Sequence, residues 1–277
     1  MINIWQAATL GSVQGLTEFL PVSSSAHLVL VPWLFKWPAM ENEMAFDVAL
    51  HLGTLFAVGI YFFWEWLHIC ASYIGDLRQR RWLGGPKGGL LPKIIAATIP
   101  AAVVGKLFEG PIEKYFYQDE QHLWILAVTL SVFGSLLLLS ERLGSKKRQM
   151  SDLSYRGALI IGAAQALALV PGASRSGVTI FAALLIGMNR EAAARFSFLL
   201  STPIIAGAVL LKLKALFHSD QRVILAVGVI TSAIVGIIAI KFLLRYVQTR
   251  GYAIFVYYRW IIAVIVLAVY ASRHWMR

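Results

Sequence analysis

Two short polar stretches interrupt an apolar chain, and both carry side chains able to handle a phosphate. The first runs Glu18-Phe-Leu-Pro-Val-Ser-Ser-Ser-Ala-His27 and the second Pro171-Gly-Ala-Ser-Arg-Ser-Gly177. In the first, Glu18 supplies a carboxylate, Ser23, Ser24 and Ser25 supply hydroxyls, and His27 supplies a ring that titrates near neutrality. In the second, Arg175 is a permanent cation between Ser174 and Ser176, and Gly172 and Gly177 let backbone N–H groups approach an anion. Hydroxyls, a guanidinium and exposed N–H groups are the groups that bind phosphate. Gln14 lies one helical turn before Glu18 on the same face, which suits joint coordination of a cation or a water.

Each residue also has a structural reading. Serines after a proline satisfy backbone carbonyls freed in a broken helix. Arg175 and Glu18 can pair as structural partners. A lone His27 is more often a packed, hydrogen-bonded histidine than a catalyst. The balance moves toward function because Glu, Ser, His and Arg occur together on two related tips. An Arg near the bilayer centre costs about 2.5 to 3.5 kcal/mol on insertion scales, a cost that calls for a role.

The elements that must position these tips are membrane helices. With 58% hydrophobic and 14% charged residues, the chain reads as a polytopic membrane protein. The net charge of +11 does not point to nucleic acid, because the bases are confined to connecting loops and flanks. The start, Met-Ile-Asn-Ile-Trp-Gln, lacks a basic n-region, so no removable signal peptide is expected. Cys70 is the single cysteine, which excludes an intramolecular disulfide and a Cys-based zinc site. His51, His68, His122, His218 and His274 are scattered and form no ligand pattern.

Residues 4–19 and 26–35 are each too short to cross about 30 Å of hydrocarbon and are expected to form a re-entrant helical hairpin. Residues 48–69, 94–108 and 123–140 are expected to cross. The segment Lys36 to Asp47 and the loop Glu109 to His122 lean acidic, while Arg78, Arg80, Arg81, Lys87 and Lys93, then Arg142, Lys146, Lys147 and Arg148, mark cytoplasmic loops. The run Gly84-Gly-Pro-Lys-Gly-Gly89 lacks the ending of a phosphate loop and reads as a connector. Residues 156–170 and 178–187 repeat the hairpin, with Asn189 capping the next helix. Residues 196–214, 223–244 and 253–272 then cross, although Lys212, Lys214 and Arg222 fit the charge rule poorly at an outer loop.

Pro21 and Pro171, Ser24 and Ser174, and Phe46 and Phe196 all align at one offset of 150 residues. One membrane domain over 1–277 is therefore expected, built from a first repeat at 1–150 and a second at 151–277. An odd number of crossings per repeat makes the two inverted. The fold class expected is an all-α polytopic integral membrane protein of two inverted-topology repeats, each a re-entrant hairpin plus three transmembrane helices. Broken helices meeting near the midplane are a known way to build a polar site there.

Gln14-Gly-Leu-Thr-Glu18-Phe-Leu-Pro-Val-Ser-Ser-Ser-Ala-His27 and Pro171-Gly-Ala-Ser-Arg-Ser-Gly177 closely resemble the two signature motifs of the bacterial undecaprenyl-diphosphate phosphatases of the bacitracin-resistance family. The resemblance continues through Phe46-Asp-Val-Ala-Leu-His-Leu-Gly53 and Asn189-Arg-Glu191 and spans the chain in length and hydropathy. Gln14 takes a position that is Glu or Gln in the family, and Ser25-Ala26 stands where relatives often have Thr-Gly. The resemblance implies hydrolysis of undecaprenyl diphosphate to the monophosphate, which recycles the lipid carrier of cell-wall synthesis. It further implies a divalent cation, Mg2+ or Ca2+, and bacitracin as a competitor for the lipid. It places the protein in the bacterial cytoplasmic membrane with its pocket open to the outer face, and suggests a homodimer.

On that resemblance, Ser24 is expected to attack the terminal phosphorus, with Arg175, Ser174, Ser176, Gly172, Ser23 and Ser25 around the phosphate. His27 would accept the serine proton or serve as acid and base for the second step. Glu18 and Gln14 would position the metal or the hydrolytic water. Direct attack by water, with Ser24 only a ligand, is the nearest competing mechanism. The competing function class is a lipid-phosphate or anion translocase, because inverted repeats are common among carriers.

Overall fold

The computed structural model describes residues 2–38, 43–85, 89–117 and 123–275. The structure is helical, and among the described residues β-pairing is limited to an isolated bridge between Arg148 and Met188. The connector residues 86–88 and the stretch 118–122 of the acidic loop lie outside the described residues, as does Glu41.

The first hairpin follows from its caps. Helix α1 (Ile4–Phe19) opens with a reciprocal capping box between Asn3 and Gln6 and stops before Pro21, which cannot continue a helix. Helix α2 (Ser24–Phe35) opens on Ser23, held at φ 78° with its hydroxyl accepting from the Ala26 N–H, and ends on left-handed Lys36. Then come α3 (Glu43–Tyr61), α4 (Phe63–Arg78), α5 (Leu90–Tyr117) and α6 (Leu123–Leu143).

A second helix pair, also joined through a proline and a serine cap, follows. Helix α7 (Tyr155–Gln165), capped by Ser154, tightens into a 3-10 turn at Ala166–Leu169 and stops at Pro171. Helix α8 (Arg175–Leu185) opens on Ser174 at φ 73°, whose hydroxyl accepts from the Gly177 N–H. The remaining elements are α9 (Arg190–Lys212), capped by Asn189 as expected, α10 (Lys214–Phe217), α11 (Arg222–Thr249) and α12 (Ala253–Trp275).

Among the described residues six helices are long and apolar enough to cross a membrane: Met44–Tyr61, Leu90–Phe108, Leu123–Leu143, Arg190–Lys212, Arg222–Thr249 and Ala253–Arg273. Two sequence expectations need correction. The crossing expected at 48–69 instead occupies α3 and ends at Tyr61; Phe62 bends the chain, and α4 brings Glu65 onto Arg195 at 2.7 Å. A carboxylate and flanking tryptophans past the bend are served better at a boundary than in hydrocarbon. The tips also match at an offset of 151, not 150. Ser23 corresponds to Ser174 and Ser24 to Arg175, because the residue with positive φ that caps the helix defines the tip and the second loop is one residue longer after its proline.

Close approach packs the helices. A Cβ on Gly15 of α1 would lie 2.5 Å from the Ser232 carbonyl of α11, and one on Gly162 of α7 would collide with the Ala97 carbonyl of α5. Gly228 and Gly236 admit Phe46 and Phe19, so the Gly228–Ser232–Gly236 face packs within the chain. Phe19 meets Phe198 edge to face at 5.4 Å in the main core.

Behind both tips lies Arg259 of α12, fully buried. Its Nε donates to the Leu130 carbonyl at 3.0 Å, Nη2 to Gly172 at 2.7 Å and Ala173 at 3.3 Å, and Nη1 to Pro21 and Ala173 at 3.3 Å. Gly134 leaves room for it: a Cβ there would sit 3.4 Å from Nε. We predict that Arg259→Met lowers stability by about 3 kcal/mol or more, because several buried carbonyls lose their donor together. Thermal unfolding in detergent measures this, and Arg259→Lys should lose less. An unchanged midpoint for the Met variant would show that the tips hold without it.

Candidate active site

The two tips meet. Ser24, at the first turn of α2, donates to Glu18 Oε2 at 2.6 Å, across the break that Pro21 introduces. Arg175, at the first turn of α8, donates from Nη2 to Glu18 Oε1 at 2.9 Å. Gln14 Nε2 donates to Glu18 Oε2 at 3.2 Å, as the one-turn spacing implies. The Glu18 and Arg175 side chains are 7% and 11% exposed, so their attraction is little screened by water. The back of Arg175 is fixed by Nη1 donating to the Ser197 carbonyl at 3.1 Å. Thr179 ties the same wall together, bonding the Arg175 carbonyl at 2.8 Å and the Ser197 hydroxyl at 2.7 Å.

These groups face a cavity of about 230 Å³. Its polar lining is Glu18, Ser23, Ser24, Ser25, Ser174 and Arg175, together with His51 and Gln165. Its apolar lining is Ala101, Ala168, Leu169, Ile204, Ile205 and Ala208. A ligand that fills it meets both polar and apolar side chains.

Not every residue expected at the site faces the cavity. His27 lies on the other side of α2, where Nδ1 meets the Ser23 carbonyl at 2.7 Å and Nε2 meets the Tyr258 hydroxyl at 2.8 Å. A carbonyl only accepts, so Nδ1 carries the proton and, in the neutral ring, Nε2 accepts from Tyr258. Ser24 therefore gives its proton to Glu18 here, and His27 braces the tip. Gly172, at φ 89°, turns its carbonyl to Arg259 and lies against Thr129. Ser176 is fully buried and donates to the Leu20 carbonyl at 3.0 Å, which ties the second tip to the first. Gly177 makes room for Arg259, whose Nη1 would lie 3.2 Å from an added Cβ.

Four contributors escaped the sequence reading. His51 and Gln165 line the cavity, while Arg259 and Tyr258 hold the tips from behind. Nothing near Tyr258 in the chain signals a site, and His51 stands within the Phe46–Gly53 stretch of the family resemblance, which assigned it no role. Gln165 carries a signal: it stands as far before Ser174 as Gln14 stands before Ser23.

Chemically, Ser24 has the geometry of a nucleophile with Glu18 as its base and Arg175 orienting that base. Among the described residues no group of three or more His, Cys, Asp or Glu side chains could hold a metal ion. A hard divalent cation nonetheless suits the donors present. Gln14 Oε1 is buried without a partner beside the Glu18 carboxylate, and such cations accept one carboxylate plus substrate phosphate oxygens and water.

The family model described as Bacitracin resistance protein BacA matches residues 7–265. An undecaprenyl-diphosphatase from Moorella thermoacetica is 46% identical over 276 residues, covering 100% of both chains. One from Geotalea daltonii is 48% identical over 264 residues, covering 93% of this chain and 95% of that one. One from Thermodesulfovibrio yellowstonii is 43% identical over 278 residues, with 99% and 100% covered.

The Glu18–Arg175 pair yields a stability prediction independent of activity. Removing either charge alone, as Glu18→Ala or Arg175→Ala, strands the other and should cost about 3 to 5 kcal/mol. The double variant should cost clearly less than the two single losses together. Thermal midpoints of the four proteins decide it, and strict additivity would mean that the pair is not coupled.

Proposed function

This chain belongs to the bacitracin resistance protein BacA family, and on that premise we propose that it is a membrane phosphatase acting on undecaprenyl diphosphate. It releases inorganic phosphate and leaves undecaprenyl phosphate, the carrier lipid of cell-wall synthesis. The observation that carries the reading is the Ser24–Glu18–Arg175 constellation in a cavity lined by both polar and apolar side chains. A diphosphate head on a prenyl chain presents both kinds of group.

In the mechanism we favour, Ser24 Oγ attacks the terminal phosphorus as Glu18 takes its proton. The Oγ–P bond forms, the bond to the bridging oxygen breaks, and the lipid monophosphate leaves with that oxygen. Water then attacks the phosphoserine phosphorus and the P–Oγ bond breaks; Ser24 Oγ takes back the proton held by Glu18, and the protons of the water leave on the inorganic phosphate. Arg175, with N–H groups of its guanidinium not used on Ser197 and Glu18, holds the charge spread over the phosphoryl oxygens. The hydroxyls of Ser23, Ser25 and Ser174 surround the same space. Gln14 and Glu18, with substrate oxygens, would hold a divalent cation such as Mg2+ or Ca2+. When bound, the cation neutralises phosphate charge.

We read the two halves as inverted repeats in the bacterial cytoplasmic membrane. The matched caps Ser23 and Ser174, and the matched hydroxyl pairs Ser23–Ser25 and Ser174–Ser176, each at 3.2 Å, support the repeat. Arg78, Arg142, Lys146 and Arg190 mark the cytoplasmic side. His51 belongs to the half of α3 away from those bases, and Ile204, Ile205 and Ala208 to the later half of α9. This supports a pocket that opens outward. The family description supports bacitracin as a competitor for the lipid.

Purified protein in detergent should release phosphate from a long-chain polyprenyl diphosphate and stop when a chelator is added. Ser24→Ala should lose at least about a thousandfold in kcat/KM. No release by folded wild type supplied with Mg2+ or Ca2+ would refute the assignment. With substrate labelled at the terminal phosphate, rapid quench should trap label on Ser24. Label that never appears on the protein at full turnover would favour direct attack by water.

A further inference from the structure

Among the described residues four buried side-chain polar atoms have no hydrogen-bond partner, and three of them belong to Gln14 and Gln165. The Gln165 side chain is the extreme case. The residue is 2% exposed, and both its amide nitrogen and its amide oxygen are unpaired. A buried primary amide left with neither end satisfied is a standing cost to the fold, and such groups are rare enough that each requires a reason.

The repeat explains why Gln165 is unpaired. Gln14 finds Glu18 one turn along α1, whereas one turn after Gln165 the chain has Leu169. The second tip keeps the amide but lacks the carboxylate that would engage it. Gln165 nevertheless lines the same cavity as Ser24, Glu18 and Arg175, and its neighbours Ala168 and Leu169 begin the apolar wall.

Building on the phosphatase reading, we infer that Gln165 is a substrate-binding residue that holds the lipid-side phosphate of the diphosphate, the one that leaves. The terminal phosphorus must lie within reach of Ser24 and Arg175. The prenyl chain must lie against Ala101, Leu169, Ile204 and Ile205. The second phosphate is then between them, where Gln165 is a polar side chain with both ends unengaged. Its N–H groups donate to phosphate oxygens, and its carbonyl accepts from a water or faces a cation. A site that met only the terminal phosphate would accept any phosphomonoester; this amide makes the site one for a diphosphate.

Product inhibition separates the two phosphate subsites. Polyprenyl monophosphate, the leaving group, occupies the Gln165 side, and inorganic phosphate occupies the Ser24 and Arg175 side. For Gln165→Leu the inhibition constant of polyprenyl monophosphate and the KM for polyprenyl diphosphate should each rise about tenfold or more. The inhibition constant of inorganic phosphate should stay within about twofold. The thermal midpoint should hold or rise, because an unsatisfied amide gives way to an apolar group of similar size.

An unchanged constant for polyprenyl monophosphate overturns the inference, as does an equal rise for both inhibitors. A clear fall in thermal midpoint also overturns it, since the amide would then have a structural partner. If Gln165→Leu does not fold, Gln165→Glu decides: a carboxylate there should repel the lipid-side phosphate and raise the same two constants further, and unchanged constants count against the inference. Wild type without any phosphate release would instead refute the phosphatase reading itself, so the two failures are distinct.

Discussion

A break between two helices leaves carbonyls without helical donors, and this protein has two such breaks with their carbonyls buried. The Arg259 guanidinium meets that demand for both at once, by donating to Pro21 of the first tip, to Gly172 and Ala173 of the second, and to Leu130 of α6. One rigid planar group therefore sets how far apart the tips lie. Ser176, reaching from the second tip to the Leu20 carbonyl, adds a direct tie. The 2.9 Å contact between Arg175 and Glu18 is inherited from this arrangement, because side chains at two helix starts meet only if the starts are held in register.

The two tips share a capping geometry but not their side chains. Ser24 and Arg175 occupy the same place, the first residue after a serine cap with positive φ, yet one is a hydroxyl and the other a cation. Gln14 and Gln165 also correspond, but the carboxylate one turn after Gln14 is replaced by Leu169 in the second copy. The first tip thus supplies a carboxylate and a hydroxyl, and the second supplies positive charge and apolar lining. A symmetric pair of carboxylates would repel each other and the diphosphate, and a symmetric pair of arginines would leave the serine without a base.

The cavity takes polar lining from both tips and from α3 and α7, and apolar lining from α5 and α9 and the turn after α7. The unpaired Gln165 amide in its lining lowers stability, a common feature of sites whose partner arrives with the ligand. His27 plays the opposite part. Fully engaged by Ser23 and Tyr258, it stiffens the tip that presents Ser24.

Much is legible in the sequence. Residue types at the two tips, the helix breaks at Pro21 and Pro171, the cap at Asn189, and six membrane-length helices all come from local chemistry, which depends on neighbours within a turn or two. The boundary of α3 is not legible there, because Glu65 is polar in isolation and becomes a partner only when Arg195 arrives. The repeat offset is off by one in the sequence because prolines align by letter while the backbone aligns by its capping residue. Arg259 and Tyr258 stay hidden for one reason: their roles come from segments far away in the chain, Arg259 acting on Pro21 across 238 positions and Tyr258 on His27 across 231. Sequence alone determined which groups are available, because hydropathy, capping and side-chain chemistry are local properties. Tertiary structure alone decided which serine meets the carboxylate, which arginine faces the cavity and which amide is left without a partner, because those depend on distances that packing sets.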